Sequence, residues 1–413
     1  MHTLLFLEPG HFHATLTLRE PNPRVADEIV VYASPGRELS DFLALVERFN
    51  KRAERPTCWR PLVVAAADPL ERLIADRRGD VVVLAGRNGG KAQTFRRLHE
   101  TGFYVLADKP WLVEPEDLAD VRASLGGWPL VMEIVTGRHD VAARLLKRLV
   151  DSREVFGDFR TDEPAIELTS VHHLEKLVDG APLRRPPWYF DVRVQGGGAV
   201  DITTHVVDQT QWLLEDRGVA PTPRLDSARQ WATPVPLEAF RRITGETEFP
   251  PDLRPCVVGG VLDYFCNAEL AYRIGDVAAH ATVSWNLSTP AGGDDTSTTV
   301  VRGTHADVRL ERTAHTGYRR RLLVEPNNDP DRVKRGLIDV VAAVPGVGVG
   351  PADGGRYEVT IPPALDAGHE SHFALTLDEL LRLIDERRWP AAQAERTLAK
   401  YTLLAEAAAR VWE

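Results

Sequence analysis

Short apolar segments alternate with amphipathic ones along the first 135 residues of the chain. The apolar segments are rich in β-branched residues, as buried parallel strands are. The predicted strands are residues 3–7, 28–32, 62–65, 80–84, 104–106 and 130–134. Helix signals lie between them: Ser40 can cap one helix, Gly102 can end another, and Pro115 suits a first helical turn. This alternation predicts βαβ units in a doubly wound, Rossmann-like parallel sheet.

The pattern changes after residue 138. Helices are predicted over residues 140–151 and 198–214, and residues 256–325 then carry strand-like segments without a helix-length pattern between them. Such a run is typical of an antiparallel sheet. A loop rich in Pro and Gly is predicted at residues 345–355, and a helical end from residue 376 to residue 412.

These patterns predict an α/β protein of two domains, which a length of 413 residues also favours. Residues 1–135 would form the Rossmann-like domain. Residues 136–413 would form an α/β domain with an open, mainly antiparallel sheet, and the last helices could pack back on the N-terminal domain.

Composition narrows the function mainly by exclusion. Fifty Lys and Arg against 60 Asp and Glu give a net charge of −10, which argues against a nucleic-acid partner. No apolar run is long enough to cross a membrane and the start lacks a signal-peptide pattern, so we expect a cytoplasmic protein without a membrane partner. The three cysteines form no CxxC, and His369 and His372 lack supporting ligands, so no metal site is predicted.

The first strand-to-helix turn is where a dinucleotide-binding protein carries its glycine fingerprint. Here it contains a single glycine, Gly10, so an ordinary turn is as good an interpretation as a dinucleotide site. The second strand ends without an acid for the ribose of NAD, and Arg37 beyond it could favour the 2′-phosphate of NADP or be a solvated charge. Lys109 follows the fifth strand, where ligands bind a parallel sheet, although a surface lysine would fit the same pattern. The residues expected to line a cofactor site are Gly10, His11, Phe12, Ser34, Arg37, Gly86, Asn88, Asp108 and Lys109.

The strongest signal of chemistry follows three consecutive glycines at residues 196–198. Asp201, His205, Asp208 and Trp212 would share one face of the predicted helix. A carboxylate four residues from a histidine can fix its tautomer, which suits proton transfer at a hydroxyl while hydride leaves the same carbon. The alternative is a His–Asp bridge inside a core, but a polar stripe after a triple glycine favours the functional interpretation.

Five further residues are weaker candidates for substrate binding. His172 and His173 could line a pocket or cap a strand, and Trp188 could stack on a sugar ring or lie in a core. Glu133 and Arg138 stand at the end of the last predicted parallel strand, near the expected ligand crevice.

Together these motifs resemble the Gfo/Idh/MocA oxidoreductase family. Asp108-Lys109-Pro110 is similar to that family's Glu-Lys-Pro motif, and GGGAVDITTHVVD is similar to its glycine-rich segment followed by an Asp-x-x-x-His pair. The segments PGHFHATL and SVHHLEKLVDGAPLRRPPWYFDV are similar to a bacterial subgroup with a distinctive C-terminal domain.

The resemblance implies NAD or NADP as cofactor, a carbohydrate-like substrate, and homo-oligomers built through the C-terminal sheet. It implies that Lys109 contacts both the nicotinamide ribose and the substrate, that His205 is the acid/base, and that Asp201 binds substrate and orients His205. Some positions depart from the family pattern. Leu5 and Leu7 stand at the places of the first two fingerprint glycines, Ala33 at that of the ribose-binding acid, and Lys91 at that of a frequent histidine.

The leading hypothesis is hydride transfer between NAD(P) and a secondary hydroxyl of a sugar, cyclitol or glycoside. Two alternatives stay open. One is a glycoside lyase or hydrolase that oxidises its substrate transiently and recycles its cofactor. The other is a sugar-sensing or partner protein that has lost its cofactor, which the poor glycine fingerprint suggests.

Overall fold

The computed structural model describes residues 1–178, 181–290 and 293–411. The chain forms two compact units. The first unit comprises Met1–Thr136, Arg193–Gly196 and Ala367–Tyr401, and the second comprises Gly137–Val192, Gly197–Asp366 and Thr402–Glu413. In the described residues, no helix has the length and apolar character needed to span a membrane.

A parallel sheet forms the centre of the first unit. Its strands are β1 (Leu4–Leu7), β2 (Glu28–Ala33), β3 (Arg60–Ala65), β4 (Val81–Leu84), β5 (Tyr104–Ala107) and β6 (Val131–Glu133). All six predicted strands are confirmed, and their order, β3-β2-β1-β4-β5-β6, is that of a Rossmann fold. The helices of this part are α1 (His13–Leu16), α2 (Arg37–Lys51), α3 (Pro69–Asp76), α4 (Lys91–Glu100) and α5 (Leu118–Ser124).

Local signals account for the starts of α3 and α5. Asp68 caps α3 by accepting a 3.2 Å hydrogen bond from the backbone N–H of Glu71. A short 3₁₀ turn begins at Pro115, as predicted, and leads into α5. Ser40 is not a cap, however. Helix α2 begins at Arg37, and the Ser40 hydroxyl instead donates to the carbonyl of Gly36 within the first turn.

The second unit is built on a large mixed sheet. Its elements are α6 (Val141–Asp151), β7 (Ile166–Glu175), β8 (Leu177–Val178), β9 (Ala181–Pro182), α7 (Val192–Gln195), α8 (Thr203–Leu214), β10 (Pro223–Pro236), α9 (Leu237–Thr244), β11 (Val257–Val258), β12 (Val261–Ile274), β13 (Val277–Ser288), β14 (Thr296–Arg302), β15 (Ala306–Arg312), β16 (Arg321–Pro326), α10 (Pro330–Ala342), β17 (Gly348–Pro351) and β18 (Tyr357–Thr360). Residues 193–195 of α7 belong to the first unit.

The predicted open, mainly antiparallel sheet is confirmed. Over the described residues its order is β10-β12-β13-β7-β14-β15-β16-β18-β17, with β11 beside β12. Only the β13–β7 pairing in this sheet is parallel, among the pairings described. Strand β7 was not predicted, although it occupies the centre of the sheet and pairs with both β13 and β14.

Three other predictions need correction. Helix α8 begins at Thr203 rather than at residue 198, so Asp201 lies in the preceding turn. Strand β17 lies inside the stretch 345–355 that was predicted to be a loop. The predicted helical end is two helices, α11 (His372–Asp385) and α12 (Ala391–Arg410). The first helix ends where Arg387 takes a left-handed conformation, with φ of 50°, and the second begins after Pro390. Trp412 lies outside the described residues.

Helix α11 completes the core of the first unit. Phe373, Leu377 and Leu380 of this helix pack with Phe6 of β1 and Val31 of β2, and all five side chains are buried. Burying a side chain of this size stabilises a fold by about 1.5–3 kcal/mol. Helix α11 therefore helps to stabilise the parallel sheet of the first unit.

Candidate functional site

The first turn begins later in the chain than the glycine fingerprint positions that were assigned from the sequence. Leu5 and Leu7 are buried strand residues of β1, so they do not stand at the glycine positions. The turn begins at Glu8, whose φ of 44° is a left-handed conformation that favours glycine. The carboxylate of Glu8 accepts hydrogen bonds from the backbone N–H (3.1 Å) and hydroxyl (2.7 Å) of Ser34, just after β2. An acid therefore does stand at the end of β2, but the first turn supplies it.

A cleft of about 490 Å³ opens beside this turn, within the first unit. Glu8, Ser34, Arg37, Gly86 and Lys91 are among the residues that line it. At Gly86 an added Cβ would lie 2.4 Å from the carbonyl oxygen of Glu8, so only glycine allows this close approach. The predicted residues Ser34, Arg37 and Gly86 thus come together around one cleft.

Asn88 serves the structure of the same unit. It is buried, its backbone N–H donates to Val194, and its side-chain amide donates to the carbonyl of Gln195 at 2.7 Å. Its amide oxygen accepts from Lys91, whose ammonium also donates to the carbonyl of Asp108 at 2.8 Å. Lys91, the replacement for a frequent histidine, therefore ties two loops at the sheet edge.

His11, His13 and Asp108 form a compact cluster at the ends of β1 and β5. One carboxylate oxygen of Asp108, Oδ2, lies 3.1 Å from Nδ1 of His11 and 2.9 Å from Nδ1 of His13. Burial lowers the pKa of His13 to about 3, against the opposing effect of Asp108. Burial would raise the pKa of Asp108, but the two imidazoles outweigh it and hold that pKa well below its usual range. The cluster is therefore a carboxylate facing neutral His13 at neutral pH.

Two neighbours of this cluster were also predicted. Lys109 is buried, its backbone N–H donates to Oδ1 of Asp108 at 3.0 Å, and its charge contributes to the low pKa of His13. The ring of Phe12 lies 4.6 Å from that of His11 and packs against the core.

Glu133 serves the interior of the first unit. At the end of β6 its carboxylate accepts from the ammonium of Lys400 and the hydroxyl of Tyr401, and all three side chains are buried. Tyr401 stacks on Trp111 with ring centroids 5.6 Å apart. Glu133 was predicted to bind substrate, but its carboxylate is engaged in a buried ion pair that fixes α12.

In the second unit the triple glycine places Asp201 in the interior. At Gly198 an added Cβ would lie 2.3 Å from the backbone oxygen of Asn267, so the turn can pass β12 only without a side chain there. Asp201 is buried, and His205 stands half-buried near the start of α8. Asp208, from the same predicted stripe, is bound by the guanidinium of Arg138 at 3.2 and 3.1 Å. Arg138 is thus hydrogen-bonded to α8, the helix that carries His205.

His172 and His173 lie on β7 beside Asp295. The Nδ1 atoms of His172 and His173 are 3.4 and 3.1 Å from its carboxylate, and the ammonium of Lys176 is 2.8 Å away. Nε2 of His172 is 2.7 Å from the hydroxyl of Ser170. Burial lowers the pKa of His172. At Asp295 burial would raise the pKa of the carboxyl, but His172 and Lys176 outweigh it and lower that pKa. The charge of Asp201 also acts on His172, so these groups share one environment.

An aromatic wall completes this environment, and its members Tyr264 and Trp285 were not predicted from the sequence. Trp285, Tyr189 and Tyr264 lie close together, with Tyr189 6.3 Å from Tyr264 and 6.2 Å from Trp285 between ring centroids. The guanidinium of Arg185 stands 4.3 Å over the ring of Tyr189. Burial, then Tyr189, Cys266 and Asp201, raise the pKa of Tyr264 well above its usual value. Trp188 lies on the rim, its ring 6.5 Å from that of Tyr189.

Two polar atoms of this wall are unsatisfied. The Tyr264 hydroxyl and the Trp285 indole nitrogen are buried and have no hydrogen-bond partner among the described residues. A buried polar group without a partner costs about 1–3 kcal/mol, so such atoms commonly mark a place where a ligand or water binds. These polar and aromatic residues around Asp201 and His172 are therefore the candidate ligand site of the second unit.

The first unit has the strand order of a Rossmann fold and a cleft beside its first turn, an arrangement that is typical of dinucleotide-binding proteins. Residues 145–411 match the family described as "Putative oxidoreductase C terminal domain". The chain belongs to this family of Gfo/Idh/MocA-type oxidoreductases. No curated protein matches the sequence.

Solved structures agree with the assignment. A "putative oxidoreductase" from Parabacteroides merdae is 33% identical, with a TM-score of 0.94 over 100% of this chain and 97% of that one. KijD10, a 3-ketoreductase from Actinomadura kijaniata solved with NADP and TDP-benzene, is 14% identical, with a TM-score of 0.59 over 99% and 97%. Levoglucosan dehydrogenase, solved with NADH and levoglucosan, is 16% identical, with a TM-score of 0.61 over 98% and 96%. The last two show the fold alone.

Proposed function

We propose that the protein transfers a hydride between a nicotinamide cofactor and a secondary hydroxyl of a sugar, cyclitol or glycoside. The observation that carries the proposal is the site around Asp201, where two buried polar atoms lack partners among the described residues and an aromatic wall stands beside a carboxylate. Aromatic faces together with hydrogen-bonding groups suit a polyhydroxylated ring. Family membership, the ketoreductase named for one structural neighbour and the levoglucosan bound by another support the same conclusion.

The residues of the first unit fit a dinucleotide. Gly86 and the tight turn at Glu8 let the backbone come close to a ligand, and Ser34 and Arg37 line the cleft. When bound, the nicotinamide would supply the hydride acceptor or donor. We assign Lys109 to this cofactor site as its buried cation.

The proton chemistry belongs to the second unit. We assign His205 the role of acid/base and Asp201 that of orienting it and binding a substrate hydroxyl. Arg138 would hold α8 in place through its two hydrogen bonds to Asp208.

Replacing His205 tests the proposal. His205→Ala should lower turnover by about 100-fold or more, the scale of general acid–base catalysis, and should leave NAD(P) affinity unchanged. Turnover would be followed by nicotinamide absorbance with a panel of aldoses, inositols and anhydro sugars. His315→Ala, a change at an exposed histidine of the second unit, is the matched control.

This assay, together with product analysis and a thermal-shift titration, separates the alternatives. Unchanged turnover in His205→Ala would sink the assignment of the acid/base. A lyase or hydrolase would convert substrate without accumulating reduced cofactor. The His172–Asp295 pair would give such an enzyme a second acid/base group. A cofactor-free sensor would show no thermal shift with any of the four nicotinamide nucleotides.

We further propose that the protein prefers NAD to NADP. A carboxylate at the end of β2 is the usual ligand of the NAD ribose and repels a 2′-phosphate, and Glu8 supplies it. Arg37, which the sequence offered as an NADP signal, lies 3.5 Å from Asp41 and remains largely exposed.

Glu8→Gln tests this preference by binding alone. The ratio of NAD to NADP affinity should fall by about tenfold or more, because a hydrogen bond to a charged group contributes about 1.5–3 kcal/mol. Calorimetric titration with both nucleotides gives the ratio, and Glu38→Gln, at another acid of the cleft, is the control. Equal affinity of the unmodified protein for both nucleotides would contradict the preference without affecting the proposed reaction.

Self-association through the second-unit sheet stays a proposal from the family resemblance. Its strands present an interleaved charged face that includes Glu167, Arg302, Arg309 and Glu325, and such a face can be self-complementary. Sedimentation analysis tests it.

A further inference from the structure

His11, His13 and Asp108 have the spacing of a metal site. Among the described residues they are the group of three His, Cys, Asp or Glu side chains whose ligand atoms all lie within 4.8 Å of one another. We propose that these three residues bind a divalent transition-metal ion of the zinc type. The sequence analysis predicted no metal site because it considered the cysteines, His369 and His372, and Asp108 stands almost a hundred positions after His11 and His13.

The distances suit a shared ion. Zinc bonds of about 2.0–2.1 Å in a tetrahedral arrangement place neighbouring ligand atoms about 3.3 Å apart. Oδ2 of Asp108 lies 3.1 and 2.9 Å from the two imidazole Nδ1 atoms. Both imidazoles direct Nδ1 at the same oxygen, and the ligand atoms of all three residues lie within 4.8 Å of one another, so one cation could contact all three.

Backbone hydrogen bonds hold two of the three residues, His11 and Asp108, in place without the metal. The N–H of His11 donates to the carbonyl of Ala85 at 3.0 Å, and the N–H of Asp108 donates to that of Leu84 at 2.7 Å. Both residues are therefore hydrogen-bonded to the end of β4, the strand between β1 and β5. A site that is formed in advance loses less entropy on binding.

Outer contacts orient two of the ligands. The Lys109 N–H binds Oδ1 of Asp108, which turns Oδ2 toward the histidines. The ring of His13 lies 4.4 Å from that of Phe373, and the ring of His369 contacts the same phenyl group. Hydrogen bonds and packing of this kind fix ligand orientation in metal sites.

The ligand set leaves one position open. Two imidazoles and one carboxylate are three protein ligands, and zinc sites with three protein ligands keep a fourth position for water or substrate. The cluster is not sealed, because the side chains of His11 and His13 expose 16% and 13% of their surface. The metal could therefore enter the site and accept an exogenous oxygen ligand.

Metal analysis of the untagged full chain tests the proposal. We expect about one equivalent of metal after incubation with Zn²⁺ and desalting, and a visible absorption spectrum of tetrahedral type with Co²⁺. His11→Ala and Asp108→Asn should each weaken Co²⁺ binding by about 100-fold or more, since even outer-contact changes cost 10–100-fold. Asp295→Asn makes the same chemical change in the other His–Asp–His cluster and should leave Co²⁺ affinity unchanged.

Two results would overturn the proposal. One is an unmodified protein that takes up neither ion in stoichiometric amount. The other is binding that survives both His11→Ala and Asp108→Asn, with circular dichroism confirming that the variants are folded. Nucleotide titration of the chelator-treated protein is read separately, so a metal-free cluster in a protein that still binds NAD would leave the proposed function standing.

Discussion

Each unit places one aspartate beside two histidines, and in the second unit a lysine ammonium also binds the carboxylate. Asp108 of the first unit faces His11 and His13. Asp295 of the second unit faces His172 and His173, but the ammonium of Lys176 is also bound to it, at 2.8 Å. The fixed charge of that lysine already neutralises the carboxylate.

The difference teaches what each cluster is suited to do. A carboxylate with a built-in cation has little attraction left for a metal ion, and it can instead hold a histidine in one tautomer. The carboxylate of Asp108, which accepts from a backbone N–H and faces two imidazoles, can offer its charge to an incoming cation. We therefore interpret the Asp295 cluster as a support for His172 at the substrate site, and the Asp108 cluster as a place for a ligand.

The largest effect on stability should come from Asp295. Asp295→Asn should lower the free energy of unfolding by about 2–3 kcal/mol, because buried donors left without a charged acceptor cost about 1–3 kcal/mol and more where an ion is involved. Urea unfolding followed by tryptophan fluorescence measures the change.

The neighbouring residue is the control for that measurement. Asp294 pairs with Arg312 and leaves 47% of its side chain exposed, so Asp294→Asn should cost less than about 1 kcal/mol. If the two variants were equally stable, Lys176 and Asp295 would not form the neutralised pair on which the comparison rests.

The elements of the fold were predictable where a pattern is local. The six strands of the first unit are short apolar runs, and each was predicted because buried parallel strands are continuously apolar. Strand β7 was missed because its sequence, IELTSVHHLE, places polar and charged residues in the middle of a sheet. Strand β10 was missed for a related reason, since most of its side chains are exposed or half-buried.

The candidate site was predictable only in part. His172, Asp201 and His205 stand in recognisable motifs, and the structure places Asp201 within reach of His172 electrostatically. Asp295 is 122 positions from His173, and Tyr264 and Trp285 stand on two different strands without a local signal. Glu8 could have been suspected, because it occupies the turn where a glycine is usual. Residues that only the sheet topology brings together leave no local pattern in the sequence.

The smallest expected effect concerns pH, and it tests whether both clusters hold neutral histidines. Burial lowers the pKa of His13 to about 3 in the folded chain, whereas an unfolded histidine titrates near 6.5. Between these values the unfolded chain binds a proton that the folded chain does not, so His13 reduces stability as the pH falls below about 6.5. The slope from one such group approaches about 1.4 kcal/mol per pH unit.

His13→Gln should therefore flatten the fall in stability near pH 5.5 by about 1 kcal/mol per pH unit in chelator-treated protein. The ionised Asp108 does not mask the effect, because the lowered pKa of its carboxyl makes it lose stability only in stronger acid. His172→Gln should flatten the fall in the same direction, since burial lowers the pKa of His172 as well. Stability curves measured in urea at several pH values give both slopes. A slope unchanged by His13→Gln would mean that the folded protein accepts the proton, and that Asp108 holds a charged imidazole as Asp295 holds a lysine.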